Sequence, residues 1–349
     1  MKFDNRLILP VFLIICIIGV ISSFYVILSH SSVNPQFIMT MNESGKDIDT
    51  AYNEKTVQEN FGVGLYNKPI HDANYSMRYS KKIQDNELFD GYLFISNQMK
   101  IKNEFLVFCL LDYNQVPFEN ENGSKIITQL LPLEPFEDRF MYFNIGNVSK
   151  GTHDFEFFVV MKPNEHSLDE KYRRSTDISY LGSKRINIIS GDPMELKLDL
   201  TPDNTMNFSS VCGPDYPVNN GILITKEPCS TTIWLTENVT GQDFINYSIN
   251  AAADNEYPVT FGLVALLDYE QIPVQIDHPG KTLFGALNKG EKISLPAQVR
   301  TPAGKGIHEL MIIWIPSPYK KLEPAPVLSP GITEGIWSTP STRVALIQS

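Results

Sequence analysis

The stretch "FLVFCLLDYNQVPF", Phe105 to Phe118, returns as "FGLVALLDYEQIPV", Phe261 to Val274, 156 residues further on. At a period of two, Phe105, Val107, Cys109 and Leu111 share one strand face, and Leu106, Phe108 and Leu110 share the other. The corresponding sets are Phe261, Leu263, Ala265 and Leu267, and Gly262, Val264 and Leu266. Both faces are apolar in both copies, which predicts a strand buried on both sides. Polar turn residues follow at once, so the run ends as a strand does.

The correspondence extends outward. "KGTHDFEFFVVMKP" (Lys150 to Pro163) answers "KGIHELMIIWIPSP" (Lys305 to Pro318), matching Gly151 with Gly306 and His153 with His308. "RFMYFNI" answers "KISLPAQV", "SKRINIIS" answers "STRVALIQS", and "LFDGYLFIS" is set against "DFINYSINA", which places Tyr92 opposite Tyr247. Strand order is kept over roughly 100 residues, with Gly, Pro and Asn between strands, and long amphipathic helices are missing. The one short helical signal is the capping-box pattern "SLDE", Ser167 to Glu170. The expected fold class is all-β, with two tandem sandwiches. Strand, Asp-Tyr turn, Pro, then Gly-x-His, strand, Pro: this pattern resembles the immunoglobulin-like modules of microbial surface proteins. The resemblance implies a fold and an address but no chemistry.

Ahead of the repeat stands "LILPVFLIICIIGVISSFYVIL", Leu7 to Leu28, an uncharged run of 22 residues. About 20 apolar residues span a bilayer as a helix. Lys2 and Arg6 precede it and the next basic residue is Lys46, which orients the bulk of the chain outward. A cleaved signal peptide is the competing reading, but it carries a shorter apolar run and a small-residue cleavage site. The expected organisation is a cytoplasmic N-terminus (1–6), a signal-anchor helix (7–28), a linker (29–40), sandwich one (41–192) and sandwich two (193–349).

Composition bounds the function. Hydrophobic residues make up 42% and charged residues 20% of the 349, as in a folded chain. The net charge is −11, with −7 over residues 33–195 (17 basic against 24 acidic) and −5 over residues 196–349 (10 against 15). Neither half has the basic footprint of a nucleic-acid binder. Cys212 and Cys229 bracket a turn-rich segment of 16 residues and are a disulfide candidate outside the cell, while Cys109 reads as a buried free thiol. N-x-S/T sequons fall at Asn42, Asn74, Asn122, Asn147, Asn207, Asn238 and Asn246, all beyond the anchor.

The tempting site is the repeated loop: Asp112, Tyr113 and Gln115, with Asp268, Tyr269 and Gln271. It reads either as a duplicated ligand loop or as a strand exit, with Asp accepting backbone N–H groups, Tyr covering the sandwich edge and Pro117 or Pro273 ending the pairing. The strand exit also explains why the flanking strands repeat, and it puts both glutamines on loops where truncation costs under about 1 kcal/mol. His153 and His308 are expected to be structural, each bonded to a loop carbonyl. "DIDTAYNE", Asp47 to Glu54, resembles a calcium loop but has Tyr52 where the sharp turn needs glycine. "ENENG", Glu119 to Gly123, reads as a solvated acidic hairpin. No G-x-S-x-G elbow, glycine-rich phosphate loop or distinctive pair of carboxylates appears. No catalytic residue, metal or cofactor is expected. The expected role is binding or structural, with the membrane and another surface or envelope protein as partners. An exported enzyme, or an accessory subunit of a membrane complex, is the alternative.

Overall fold

The computed structural model describes residues 61–174, 181–191, 210–218, 220–240, 243–253, 257–274, 280–322 and 338–349. The apolar run 7–28, the linker 29–40, Asn42, the 47–54 segment and the whole 192–209 boundary, Asn207 included, lie outside the described residues. Among the described residues no helix is long and apolar enough to cross a membrane.

The first copy contributes β1 (Phe61–Tyr66), β2 (Ser80–Ile83), β3 (Leu88–Asn97), β4 (Asn103–Leu111), β5 (Asn114–Gln115), β6 (Phe118–Glu119), β7 (Lys125–Ile126), β8 (Gln129–Leu133), β9 (Asp138–Asn147), β10 (Gly151–Met161) and β11 (Leu181–Ser190). One sheet runs β1-β3-β9-β6-β7; the facing sheet runs β2-β11-β10-β4-β5, with β8 also on β4. Between them lies a phenylalanine-rich core that includes Phe89, Phe105, Phe118, Phe143, Phe155 and Phe157. These residues alternate along their strands, so each strand delivers every second side chain inward.

The second copy contributes β12 (Ser210–Val211), β13 (Gly221–Thr225), β14 (Thr236–Val239), β15 (Phe244–Ala252), β16 (Val259–Leu267), β17 (Glu270–Ile272), β18 (Thr282–Leu287), β19 (Lys292–Arg300), β20 (Gly306–Pro316), β21 (Thr339–Pro340) and β22 (Val344–Gln348). Its sheets run β12-β19-β15-β13 and β14-β22-β20-β16-β17, with β18 and β21 attached to β16 and β20. Its core is aliphatic, with Phe261 stacked on Trp314 at 4.1 Å between centroids. Each copy closes one edge with a parallel pair, β2 on β11 and β14 on β22. Gly151 and Gly306 open equivalent strands at φ 139° and 133°, a region L side chains rarely adopt, so glycine recurs there.

The third apolar cluster is what joins the copies. Phe108, Leu110, Phe158 and Val160 of the first copy pack against Val264, Leu266, Met311, Ile313 and Ile315 of the second. These are the second faces of β4 and β10, and of β16 and β20. The strand buried on both sides is therefore explained by one sandwich lying face to face on the other.

Two details of the sequence alignment are corrected. Ile245, Tyr247, Ile249 and Ala251 point into the second core, as Phe89, Leu93 and Ile95 point into the first. Tyr92 is thus opposite Ser248, not Tyr247; the proposed match slipped by one residue, which inverts a strand's faces. The short helix, α1, is Glu170–Arg174. Asp169 Oδ1 accepts the Tyr172 N–H at 2.9 Å, so Asp169 rather than Ser167 caps it.

Candidate functional site

The repeated phrase forms the same turn twice. Leu111 pairs with Asn114 and Leu267 with Glu270, leaving two central residues in each hairpin. Those residues all have positive φ: Asp112 48°, Tyr113 65°, Asp268 51° and Tyr269 67°. This is the type I′ turn that suits the twist of a two-residue hairpin. Asp112 earns the conformation by its bonds. Its N–H donates to Asp154 O, its Oδ1 accepts from Asp154 N–H at 3.0 Å, and its Oδ2 lies 2.7 Å from His153 Nδ1. Asp268 makes the same three contacts with Glu309 and His308.

The histidines are tied at both ends. His153 Nε2 is 2.9 Å from Ser149 O, and His308 Nε2 is 2.9 Å from Gly304 O. A carbonyl and a carboxylate both accept, so both ring nitrogens donate and the imidazolium is favoured. For His153 the Asp112 hydrogen bond is the main cause of a pKa raised above the ordinary value. For His308 burial acts downward, and the bonds to Asp268 and Gly304 outweigh it, so its pKa is also raised. Both are bonded to a loop carbonyl, and each also has a carboxylate partner that the sequence spacing had hidden.

The glutamines are not loop ornaments, and here the sequence expectation fails. Gln115 N–H donates to Gln271 Oε1 at 2.7 Å, and Gln271 N–H donates to Gln115 Oε1 at 2.8 Å. Gln115 Nε2 donates to Tyr269 O and Gln271 Nε2 to Tyr113 O, each at 2.9 Å. Four bonds thus cross between the sandwiches about a local pseudo-twofold axis, each copy reading the other's backbone. Tyr113 and Tyr269 are likewise buried between the sandwiches rather than over a free edge.

Around this clasp lie two buried ionic clusters. Asp154 Oδ2 accepts from Arg185 Nη2 at 2.6 Å, from the Tyr113 hydroxyl and from Tyr319 N–H. Arg185 also donates to Pro316 O and Ser317 O of the second copy at 2.7 and 2.9 Å. In mirror fashion Arg343 donates to Lys162 O of the first copy and to the Tyr269 hydroxyl. Glu309, the counterpart of Asp154, instead receives Arg173 of α1 as a bidentate partner at 3.0 and 3.1 Å, with His166 Nδ1 at 3.2 Å. Arg173 and Arg343 have no exposed surface. Glu156 faces the same interface and accepts from the Ser338 hydroxyl at 2.7 Å. Burial pushes its carboxyl up to about 7. The described residues just after β10 and β20, 162–174 and 317–322, reach reciprocally onto the other sandwich, through His166 and Arg173 to Glu309 and through Tyr319 to Asp154 and Leu322 to Asn187.

Cys212 and Cys229 are disulfide-bonded with Cα atoms 5.3 Å apart, and Cys109 is a buried free thiol. Asn74, Asn122, Asn147, Asn238 and Asn246 are all exposed. Among the described residues no group of three His, Cys, Asp or Glu side chains is placed to hold a metal.

The described chain is thus an all-β pair of sandwiches joined through their inner sheets. No family model and no curated protein matches it. Solved structures similar to part of it include the CARDB domain of a Pyrococcus furiosus protein in complex with di-metal ions, at 14% identity, 40% of this chain, all of that chain and a TM-score of 0.24. A PapD-like domain of human CEP192 aligns at 12% identity, 42% of this chain, 96% of that chain and a TM-score of 0.23. A family 123 glycoside hydrolase from Clostridium perfringens aligns at 9% identity and a TM-score of 0.23, over 39% of this chain and 28% of the enzyme. At these scores the fold assignment rests on the sheets and cores described above.

Proposed function

We propose that the protein is a membrane-anchored, extracytoplasmic binding or structural protein without catalytic activity, presenting two clasped sandwiches as one body to another surface or envelope protein. The observation that carries this reading is the fate of the duplicated loop. Asp112, Tyr113, Gln115 and their counterparts spend their hydrogen bonds on turns and on the other sandwich. The uncharged run 7–28 supports the anchor, and the disulfide supports an oxidising compartment. Exposed sequon asparagines are compatible with the same address. The test pairs protease treatment of intact cells with affinity capture from native membranes using the full chain as bait. The expected result is removal of the bulk of the chain and recovery of a stoichiometric partner. Full protection of residues 33–349, or capture of no partner, would overturn the reading.

A further inference from the structure

Glu156 places a carboxyl where the fold asks only for length. It stands buried on the interface face of β10, with Phe158 and Val160 further along the same face. The second copy has Met311 at the equivalent place, buried in the shared apolar layer. A flexible thioether fills that position without any charge.

The charge beside Glu156 is already matched. Arg185 lies directly across from it on β11. That guanidinium donates through Nη2 to Asp154 Oδ2, the Tyr113 hydroxyl and Ser317 O, and through Nη1 to Pro316 O. Asp154 Oδ1 also accepts from Asn187 Nδ2 at 2.5 Å. One cation thus stands near two buried acids, and Asp154 holds it. From β4, Leu110 lies opposite Glu156, and the second sandwich supplies Val264, Leu266, Met311 and Ile313 to this layer, none of them titratable. Glu156 Oε1 accepts from the Ser338 hydroxyl at 2.7 Å, while the buried Oε2 has no hydrogen-bond partner among the described residues. Burial pushes the carboxyl pKa up, with Asp154 acting in the same direction, and Arg185 and the hydroxyls of Ser338 and Ser183 do not offset it. The Ser338 bond is stronger to the anion, but one hydroxyl does not replace the hydration an anion loses on burial.

The cover over this group is a short strap. Ser338, of the second copy, also donates its N–H to the Ser183 hydroxyl of the first at 3.4 Å. Behind it β21 pairs with β20 through Thr339 opposite Trp314 and Pro340 opposite Ile313, and both strap residues are half-buried. Ser341 N–H donates to Ile312 O at 2.7 Å. Residues 338–341 therefore lie across the seam with a foothold on each sandwich.

We propose that Glu156 and the 338–341 strap form a proton-operated latch on the seam between the sandwiches: the strap lies closed while Glu156 carries its proton and lifts to admit water once Glu156 ionises. The latch goes beyond the binding reading above and does not depend on it. The closed state holds the proton up to about 7, whereas a hydrated glutamate loses it at about 4.3. Closure is thus complete below the ordinary glutamate range, weakens as pH rises, and levels off above about 7.

The test is amide hydrogen exchange of the full chain between about pH 5 and pH 8, each rate divided by that of the unstructured peptide so that the intrinsic pH dependence cancels. Ser341 N–H reports the strap, and Phe158, paired on both sides in β10, reports global unfolding. Protection of Ser341 should fall about tenfold per pH unit between about pH 5 and pH 7 and then level off, the response of one proton. Low urea should leave Ser341 exchange unchanged while it speeds Phe158, which marks the strap opening as local. Glu156→Gln should abolish the pH dependence of Ser341 protection. If far-UV circular dichroism shows that this variant does not fold, Glu156→Met, which copies the second sandwich, takes its place with the same expected result. Ser341 protection that is flat with pH in the wild type, that matches Phe158 in rate and urea response, or that keeps its pH dependence in the folded variant would overturn the latch.

Discussion

Truncating Gln271 to alanine deletes two inter-sandwich hydrogen bonds at one stroke. The Gln115 N–H loses its acceptor, and the Tyr113 carbonyl loses one donor but keeps the Thr282 hydroxyl at 2.8 Å. An ordinary hydrogen bond contributes about 1 kcal/mol net, and a buried donor left unpaired costs about 1–3 kcal/mol. Gln271→Ala should therefore cost about 2–4 kcal/mol, well above the 1 kcal/mol or less expected for an exposed loop residue. Gln115→Ala strands the Gln271 N–H in the same way and should cost about as much. Urea unfolding measures the loss. All three tryptophans, Trp234, Trp314 and Trp337, belong to the second copy, so their fluorescence reports sandwich two while far-UV circular dichroism reports both. In the wild type the two signals should change together, because the inner sheets share one apolar layer. In the double variant they should separate. Single variants within about 0.5 kcal/mol of wild type, with coincident transitions throughout, would refute the clasp.

Glu309→Ala leaves the fully buried Arg173 without its carboxylate and should cost about 3–5 kcal/mol by equilibrium unfolding, whereas Glu170→Ala, at an exposed pair with Arg174, should cost under about 1 kcal/mol. Stability should fall as pH rises above about 6.5: the folded pKa of His153 and His308 is raised, so their contribution is complete below the ordinary histidine value and lost as pH rises through the folded one. Glu156 acts in the same direction, since its carboxyl is held neutral up to about 7 in the fold, and Glu156→Gln should flatten the pH dependence of urea midpoints. Reducing the Cys212–Cys229 bond should cost about 3 kcal/mol, and Cys109 should resist alkylation in the native chain because burial raises its thiol pKa and removes access.

The alternation of Phe105 to Leu111 was legible as a two-sided strand, because a period of two and apolar residues at every position leave no face for water. What covered the second face was not legible: Leu106, Phe108 and Leu110 demand a neighbour without naming it. A signal did exist in Arg185, within β11, and Arg343, at the equivalent place just ahead of β22, with Asp154 and Glu309 in the matching β10 and β20. Charges repeated at equivalent places in or beside buried strands point to a paired, buried interface. Arg173 gave no such signal, because it comes from a segment without a counterpart in the other copy. The Tyr92 match failed for a local reason: two aromatic residues were aligned by type, while the strand face is fixed by parity.

The clasp is tested most directly by amide hydrogen exchange at Gln115 and Gln271. Each N–H is bonded across the interface by the other glutamine's side chain, at 2.7 and 2.8 Å, and not by a strand neighbour. The account predicts that both amides are protected, exchange at similar rates, and lose protection together in either single alanine variant. Fast exchange of both amides in the intact chain, at the rate of an exposed hairpin loop, would contradict it.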